Sequence, residues 1–300
     1  MLQKAEPATL ENPPLTLYNS HIMNSRPPDR HPISRRQMLG LSAGALLSLG
    51  LWPGALSAQD KAASGDFHFA VINDIHFINE KCAAFLERVL AKIKSGPQPD
   101  FCLLAGDLSH HGNEQELGTV KEIFGRLGIP FYAVPGNHDY LTQNDRSGYD
   151  KVFANRLNYS FEHKGWQFIA FDSTEGLRAD KTSIHEPAVR FLMEASKKIS
   201  KTEPLISFTH FPLGETVKMR PKNAEDVLEM FVDHNLQATF GGHFHGFTQR
   251  SFEHATLVTN HCCSFSQPNH DGTTDKGFFL CQAKDGRVSR SFVEVSTAGI

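Results

Sequence analysis

The stretch that decides the fold is Phe67-His-Phe-Ala-Val-Ile-Asn-Asp-Ile-His76. It is an apolar run that ends in polar turn residues. The same change recurs at Phe101-Cys-Leu-Leu-Ala-Gly-Asp107 and at Phe131-Tyr-Ala-Val-Pro-Gly-Asn-His-Asp139. Short apolar runs predict buried strands, and the amphipathic segments between them predict helices. Strands are predicted at Phe67–Asn73, Phe101–Ala105 and Phe131–Val134, and helices at Lys81–Lys94 and Glu114–Leu127. This βαβαβ order predicts parallel pairing through right-handed crossovers.

The remainder of the chain continues in strands and helices. After a loop at Leu141–Gly148, strands are predicted at Tyr159–Glu162, Gln167–Phe171, Leu205–Phe208 and Ala238–Phe240, with helices from Pro187 and over Ala224–His234. Beyond Gly246 the pattern predicts a β meander with strands at Thr248–Phe252, Leu257–Asn260, Gly277–Gln282 and Val288–Val295. We therefore expect an α/β protein with two sheets, parallel-rich in the first half and antiparallel in the last quarter.

Length and composition are those of an ordinary globular protein, with 300 residues of which 40% are hydrophobic and 21% charged. Residues 1–58 hold five of the 30 Lys/Arg and three of the 33 Asp/Glu, which leaves 25 basic and 30 acidic residues in the remainder. That balance is not the balance of a nucleic-acid-binding surface. We expect residues 59–66 to be a linker and residues 67–300 to form a single domain.

The N-terminal segment Ser34-Arg-Arg-Gln-Met-Leu-Gly40, followed by an apolar stretch to about Leu56, resembles a twin-arginine export signal. We expect residues 1–58 to be a signal and leader that is removed between about Ser57 and Gln59. The resemblance implies the twin-arginine machinery as a partner and a periplasmic or secreted location. The alternative is an uncleaved membrane anchor, although Gly and Pro residues interrupt the stretch and it is short for a spanning helix.

Five clusters offer metal-ligating side chains, each where a predicted strand ends. They are Asp74/His76, Asp107, Asn137-His138-Asp139, His210 and His243/His245. The two pairs with a spacing of two residues would point to one side on an extended backbone. The carboxylate of Asp107 is predicted to bridge two ions through its two oxygens. Such a mixed set of oxygen and nitrogen ligands suits Fe, Mn or Zn, and the glycines at 106, 136, 241 and 242 would let the backbone approach the ions.

This ordered run over residues 67–250 resembles the calcineurin-like metallophosphoesterases, whose blocks are Asp-x-His, Gly-Asp, Gly-Asn-His-Asp/Glu, a lone His and Gly-His-x-His. The resemblance implies a four-layer α/β/β/α sandwich of two mixed sheets flanked by helices, with the metal site at the C-terminal ends of the strands. It implies two transition metal ions, divalent or trivalent. By the resemblance, the first ion takes Asp74, His76 and His245, the second takes Asn137, His210 and His243, and Asp107 bridges both.

The chemistry that the resemblance implies is hydrolysis of a phosphate ester by attack of a metal-bound hydroxide. His138 would stay off the metals and serve the departing oxygen as an acid, and Asp139 would orient His138. The competing interpretations are a buried structural imidazole for His138 and an ordinary turn residue for Asp139.

Within the family, Gly106-Asp-Leu-Ser109 and His210-Phe-Pro212 are similar to the class III cyclic nucleotide phosphodiesterases, which favours a phosphodiesterase over a phosphomonoesterase. That group usually has acidic or amide residues where His110 and His111 stand. His110 is therefore either a contact to substrate phosphate or a solvated loop residue.

Other interpretations stay open at this stage. The chain is either a small-molecule phosphoesterase or a non-hydrolytic metal-binding or scaffold protein on the same fold. Residues 213–223 form either a basic lid or a charged loop, and Asn269, His261 and His270 either complete a pocket or face solvent. Phe247 and other phenylalanines beside the ligands either stack on a substrate or pack in the core. The five cysteines show no zinc-site spacing and do not favour a disulfide framework. The sequence leaves the oligomeric state open.

Overall fold

The computed structural model describes residues 65–300. The predicted twin-arginine signal at 1–58 and most of the predicted linker at 59–66 lie outside the described residues and stay predictions. Among the described residues, no helix combines the length and the apolar character needed to cross a membrane.

The first sheet contains the three strands of the predicted βαβαβ unit and a C-terminal hairpin. Its strands are β1 (Phe67–Ile72), β2 (Phe101–Ala105), β3 (Phe131–Val134), β10 (Gly277–Lys284) and β11 (Arg287–Glu294), and its helices are α1 (Glu80–Ser95) and α2 (Glu114–Gly125). The strand order is β11-β10-β1-β2-β3. β1, β2 and β3 pair in parallel, and β10 joins β1 antiparallel. The expected parallel core is therefore confirmed.

The second sheet is also mixed. Its strands are β4 (Tyr159–His163), β5 (Trp166–Ala170), β6 (Leu205–Phe208), β7 (Leu236–Gly241), β8 (Thr248–Phe252) and β9 (Ala255–Thr259), in the order β4-β5-β6-β7-β9-β8. The four central strands are parallel and the two edge strands antiparallel. The remaining helices are α3 (Ser147–Val152), α4 (Glu186–Lys198) and α5 (Ala224–Glu229).

Three apolar layers hold the two sheets and the helices together. The middle layer lies between the sheets and contains Phe69, Leu103, Phe168 and Phe240. The outer layers lie under α1 and α2 on one side and under α4 and α5 on the other. All five residues of β2 are buried, because alternate side chains enter the middle layer and the helix-covered layer. The predicted four-layer α/β/β/α sandwich of two mixed sheets is confirmed.

The last quarter of the chain is not one antiparallel meander, contrary to expectation. The hairpin β8–β9 belongs to the second sheet, where β9 pairs in parallel with β7, and the hairpin β10–β11 belongs to the first. Each hairpin buries one apolar face, and the alternation of apolar and polar residues within the hairpin does not indicate which sheet it joins. Two smaller differences are that α3 begins within the predicted loop at 141–148 and that α5 ends at Glu229, before the predicted limit of His234.

Candidate metal centre

The five sequence clusters meet at one edge of the sandwich. Four of them directly follow the C-terminal ends of β1, β2, β6 and β7, and the fifth is a 3₁₀ turn after β3. Parallel strands end at the same edge of a sheet, so the order of the elements brings these side chains together. All seven predicted ligands are buried: Asp74, His76, Asp107, Asn137, His210, His243 and His245.

The first ligand set, Asp74, His76 and His245, surrounds one point. The Nε2 atom of His245 lies 3.3 Å from Asp74 Oδ1 and 3.1 Å from His76 Nε2. The Nε2 atom of His76 lies 3.4 Å from Asp107 Oδ2. Ligand atoms about 2.0–2.2 Å from an ion at the centre of a tetrahedron are roughly 3.3–3.6 Å apart. These spacings are therefore close to those of atoms that share an ion.

The second ligand set, Asn137, His210 and His243, has the same spacing. The Nε2 atom of His210 lies 3.3 Å from Asn137 Oδ1, 3.2 Å from His243 Nδ1 and 3.4 Å from Asp107 Oδ2. Asp107 Oδ2 thus faces both sets, whereas Asp107 Oδ1 accepts a hydrogen bond from the backbone N–H of His138 at 2.8 Å. The expectation that Asp107 uses both oxygens as a bridge is corrected, because one oxygen faces both sets and the other holds the His138 loop.

The backbone of these ligands is not extended, which corrects the spacing-of-two argument. Asp74, His76, Asp107, His243 and His245 have φ values of 53°, 46°, 50°, 65° and 48°. The left-handed region costs a non-glycine residue on the order of 1–3 kcal/mol when the surroundings enforce it. Here the N–H groups of Asp74 and His76 donate to the carbonyls of Gly106 and Asp107 at 3.1 and 2.9 Å. The paired ligands converge because tight turns aim them, and not because a strand alternates.

The glycines allow close packing against the ligand side chains. A Cβ atom on Gly136 would lie 2.1 Å from Asp107 Oδ1, and one on Gly106 would lie 2.5 Å from His210 Nδ1. A Cβ atom on Gly242 would lie 2.6 Å from Asp74 Oδ2, whereas Gly241 has nearly ordinary contacts. Three of the four predicted glycines are therefore required by space next to a ligand.

Backbone carbonyls fix the orientation of three ligand imidazoles. His210 Nδ1 lies 3.1 Å from the Ala105 carbonyl, and His245 Nδ1 lies 3.0 Å from the Pro268 carbonyl. His243 Nε2 lies 2.7 Å from the Ala179 carbonyl. A carbonyl only accepts, so these ring nitrogens carry a proton, and the other nitrogen of each ring is the one that would bind an ion.

The electrostatics of the centre favour cations. Although burial opposes ionisation, the neighbouring histidines hold the pKa values of Asp74 and Asp107 below the usual range. Burial likewise opposes the charged imidazoles, yet Asp107 raises the pKa of His210 to about 9 and Asp74 raises that of His245 to about 11. Two buried carboxylates thus draw positive charge to themselves. Carboxylate, imidazole and amide donors around them fit Fe, Mn or Zn ions.

His138 lies beside the ligand sets and is only partly buried. Its Nδ1 atom lies 3.0 Å from the His110 carbonyl, and its ring stacks on the His110 ring at 4.8 Å and 23°. The predicted role of Asp139 in orienting the His138 ring needs correction. The Asp139 carboxylate accepts from the N–H groups of Leu108, Ser109 and Gly136 at 3.1, 2.8 and 2.8 Å. Asp139 therefore orients the loop that carries His138, and not its imidazole.

The structure brings His110 against the first ligand set. Its Nδ1 atom lies 3.3 Å from His76 Nδ1. Sequence reasoning missed the residue that holds this loop, Glu116, which accepts from the N–H groups of His110 and His111 at 3.0 and 2.9 Å. The available signal was the position of Glu116 three residues after the helix N-cap Asn113, where a carboxylate commonly binds preceding N–H groups. A contact from His110 to substrate stays a prediction.

A second support lies behind His245 and was also missed. The ammonium of Lys276, which is 9% exposed, donates to the Gln267 carbonyl at 2.6 Å, to Cys262 Sγ at 2.9 Å and to Asn269 Oδ1 at 3.3 Å. These bonds tie together the loop whose Pro268 carbonyl holds His245. We call Cys262, Gln267, Asn269 and Lys276 the lysine clamp. Its sequence offers no signal, since a single lysine in a polar segment normally faces water.

The other residues considered as possible substrate contacts lie in different places: some are buried, some are exposed, and some contact the ligand residues. Asn269 is buried in the lysine clamp, whereas His270 is exposed and stacks on the His245 ring at 4.6 Å. Phe247 is 49% exposed, and Phe211 is fully buried against His243. In residues 213–223, Arg220 pairs with Glu225 of α5 at 2.7 Å and donates to the Leu213 carbonyl, so this cation already has partners in α5 and in its own loop.

Comparison with known proteins agrees with the fold and with the family that the sequence blocks resemble. The family model described as calcineurin-like phosphoesterase matches residues 67–247. The chain therefore belongs to the calcineurin-like phosphoesterase family, as its sequence blocks predicted.

Two curated relatives show which members of that family the chain is similar to. A probable cyclic nucleotide phosphodiesterase of Synechococcus is 30% identical over 119 residues, covering 37% of this chain and 46% of the relative. The chain thus matches less than half of that relative's length. A glycerophosphodiester phosphodiesterase of Enterobacter lignolyticus is 26% identical over 216 residues, covering 63% of this chain and 75% of the relative.

Solved structures support the fold. GAP50, the anchor in the inner membrane complex of Plasmodium, aligns with a TM-score of 0.56 at 17% identity, covering 78% of this chain and 85% of that chain. TT1561 of Thermus thermophilus aligns with a TM-score of 0.50 at 12% identity, covering 76% of this chain and 99% of that chain. At such identities the likeness concerns the architecture alone.

Proposed function

We propose that this chain is an exported phosphodiesterase that works with two transition metal ions. The observation that carries the proposal is the position of Asp107 Oδ2, which lies 3.4 Å from His76 Nε2 in the first ligand set and 3.4 Å from His210 Nε2 in the second. One buried carboxylate oxygen that faces two sets of donors is an arrangement that fits two adjacent ions.

Each set has a defined task in this proposal. The first set would hold one ion, the second set the other, and Asp107 both. When bound, the ions would neutralise phosphoryl oxygens and lower the pKa of a coordinated water towards about 7. His138 contributes without being a ligand. Because the His110 carbonyl holds a proton on His138 Nδ1, the Nε2 atom is the one that exchanges a proton with the departing ester oxygen.

Two considerations favour a diester over a monoester. Both relatives described above are named as phosphodiesterases. The side chains beside the ligand sets include the imidazoles of His110 and His138, and a monoanionic diester needs less additional positive charge than a dianionic monoester.

The direct test compares bis(p-nitrophenyl) phosphate with p-nitrophenyl phosphate after loading with Mn, Fe or Zn. We expect the diester to be the better substrate. His138→Ala should lower kcat by about 10²–10⁴-fold with both ions retained, and Asp107→Asn should lower activity together with metal content. The exposed His254 provides a matched control, since His254→Ala should change neither quantity.

Two outcomes would overturn the proposal. Two bound ions without turnover of any phosphate ester would indicate the non-hydrolytic alternative. Faster hydrolysis of the monoester under every metal would contradict the diester preference.

The proposed export rests on the twin-arginine-like segment alone. Fractionation of cells that express the full chain should place the processed protein in the periplasm or the medium. Replacing Arg35 and Arg36 with Lys should retain it inside the cell. Equal export of both forms would refute the assignment.

A further inference from the structure

A cavity of about 600 Å³ lies beside the metal-bearing edge of the sandwich. It is lined by Phe247, Asn260, His261, Phe279, Arg290 and Phe292, among others, and we call it the aromatic cavity. Its walls come from β8 and the end of β9 in the second sheet and from β10 and β11 in the first. The volume is that of a small-molecule site.

Aromatic rings form one side of this cavity. The Phe279 ring lies 6.2 Å from that of Phe247 and 6.3 Å from that of Phe292, at interplanar angles of 80° and 81°. Phe279 is buried, whereas Phe247 stands 49% exposed at the rim. Exposure of a ring of this size costs free energy that a stacked planar ligand would recover.

A cation without an acidic partner stands in the same cavity. The Arg290 guanidinium lies 5.8 Å from the centre of the Phe279 ring, and its hydrogen-bond partner is the neutral side chain of Gln249. No acidic side chain within residues 65–300 forms an ion pair with Arg290. A partly buried arginine left in this state is a binding group for a carboxylate or phosphate.

Unpaired polar atoms lie in the wall of the cavity, almost completely covered by the surrounding residues. Asn260 is 2% exposed, yet neither its Nδ2 nor its Oδ1 atom has a hydrogen-bond partner, and His261 Nδ1 also lacks one. A buried polar group in this condition destabilises the folded protein until a ligand or a water pairs with it. An amide offers a donor and an acceptor side by side, which is the pattern that matches the edge of a purine base.

We propose that the aromatic cavity is a nucleotide-binding site, separate from the metal centre. The base packs against the phenylalanine rings and the phosphate pairs with Arg290, and the covered Asn260 amide meets the edge of the base when its side chain turns towards the cavity. The site also has a route to the metal centre. Asn73 Nδ2 lies 3.3 Å from the Asn260 carbonyl and 2.6 Å from Asp74 Oδ2. A shift of Asn260 would therefore change the hydrogen bonding of Asp74, a residue of the first ligand set.

The test is calorimetric titration of AMP into metal-loaded protein and into protein treated with a chelator. We expect AMP to bind in both states, because no residue of the cavity belongs to the ligand sets. Arg290→Gln and Phe247→Ala should each weaken binding at least tenfold. Leu177→Ala, which removes another exposed apolar side chain of 44% exposure, should leave binding unchanged.

Ligand fragments make the assignment sharper. Adenosine lacks the phosphate and ribose 5-phosphate lacks the base, so each should bind at least tenfold more weakly than AMP. Equal binding of ribose 5-phosphate would reduce the cavity to an anion site and overturn the proposal. Binding that vanishes with the metals and ignores Arg290→Gln and Phe247→Ala would place AMP at the metal centre and also overturn it. Because the chelated protein binds AMP without catalysis, failure of this site is distinguishable from failure of the proposed phosphodiesterase activity.

Discussion

Replacing Lys276 with methionine should weaken one metal site and leave the other intact. Methionine keeps most of the length and the apolar stem of the lysine and removes the ammonium. The ammonium makes hydrogen bonds at 2.6, 2.9 and 3.3 Å within the lysine clamp. Without it, the Gln267 carbonyl and Asn269 Oδ1 lose a charged donor in a mostly buried setting.

The magnitude follows from those bonds. A hydrogen bond to a charged group contributes about 1.5–3 kcal/mol, and part of the lost stability is regained because methionine is easier to bury than an ammonium. We therefore expect the free energy of unfolding of the metal-free protein to fall by about 2–4 kcal/mol. Because the clamp positions the Pro268 carbonyl 3.0 Å from His245 Nδ1, affinity for the ion in the first set should fall about 10–100-fold.

The assay is competition with a chromophoric chelator, combined with guanidinium unfolding of the metal-free protein. The expected result is one ion lost at low free metal and the second retained. Lys92 is an exposed lysine of α1, so Lys92→Met is the matched control and should alter neither quantity by more than a few tenths of a kcal/mol. Lowered stability with unchanged affinity for both ions would refute the idea that the clamp supports His245.

Further predictions concern the metals, two glycines and a partly exposed carboxylate. Removing the ions should lower Tm in calorimetry, since a bound ion at about a thousandfold excess over Kd adds about 4 kcal/mol; an unchanged Tm would contradict a site built for cations. Gly136→Ala would place a Cβ atom 2.1 Å from Asp107 Oδ1 and should lower phosphodiesterase activity at least tenfold. Gly118 in α2 has open space around it, so Gly118→Ala should instead stabilise the protein by about 0.5–1 kcal/mol in unfolding titrations. Partial burial opposes ionisation of Asp100, yet its 2.7 Å bond with Lys164 lowers the pKa of Asp100 below its usual value. Solvent screens this partly exposed pair, so its contribution is under about 1 kcal/mol. The contribution is present at neutral pH and disappears as the pH falls through the lowered pKa, so Asp100→Asn should be destabilising at pH 7 and neutral near about pH 2.

Much of the fold was predictable because its signals are local. The apolar runs at 67–73, 101–105 and 131–134 each end in turn residues, and the structure has strands there within one residue of the predicted limits. The seven predicted ligands meet for the same reason, since the strand that precedes each cluster ends at one edge of the sandwich. Sequence order and strand direction therefore suffice to assemble the site.

What could not be predicted depends on contacts between distant segments. Each C-terminal hairpin joins its sheet by pairing with a strand outside the hairpin, β9 with β7 and β10 with β1. The Asp139 carboxylate accepts hydrogen bonds from the Gly106–Ser109 loop, which comes close only in the folded chain. The His138 ring is hydrogen-bonded to the His110 carbonyl instead. Lys276 resembles any surface lysine until the chain folds around it.

The left-handed backbone of the ligand residues determines which substitution should be used to remove a metal ligand. An alanine at Asp74 or His243 removes the ligand but keeps a Cβ atom in a conformation that costs an L-residue roughly 1–2 kcal/mol. Glycine removes the ligand and this penalty together, so the glycine variant should be the more stable of the two with the same loss of metal. At His210, which is not among the positive-φ residues, the order should reverse, because glycine there only adds about 0.5–1 kcal/mol of chain entropy to be lost on folding. Pairs of alanine and glycine variants would thus separate the role of a side chain from the conformation that presents it.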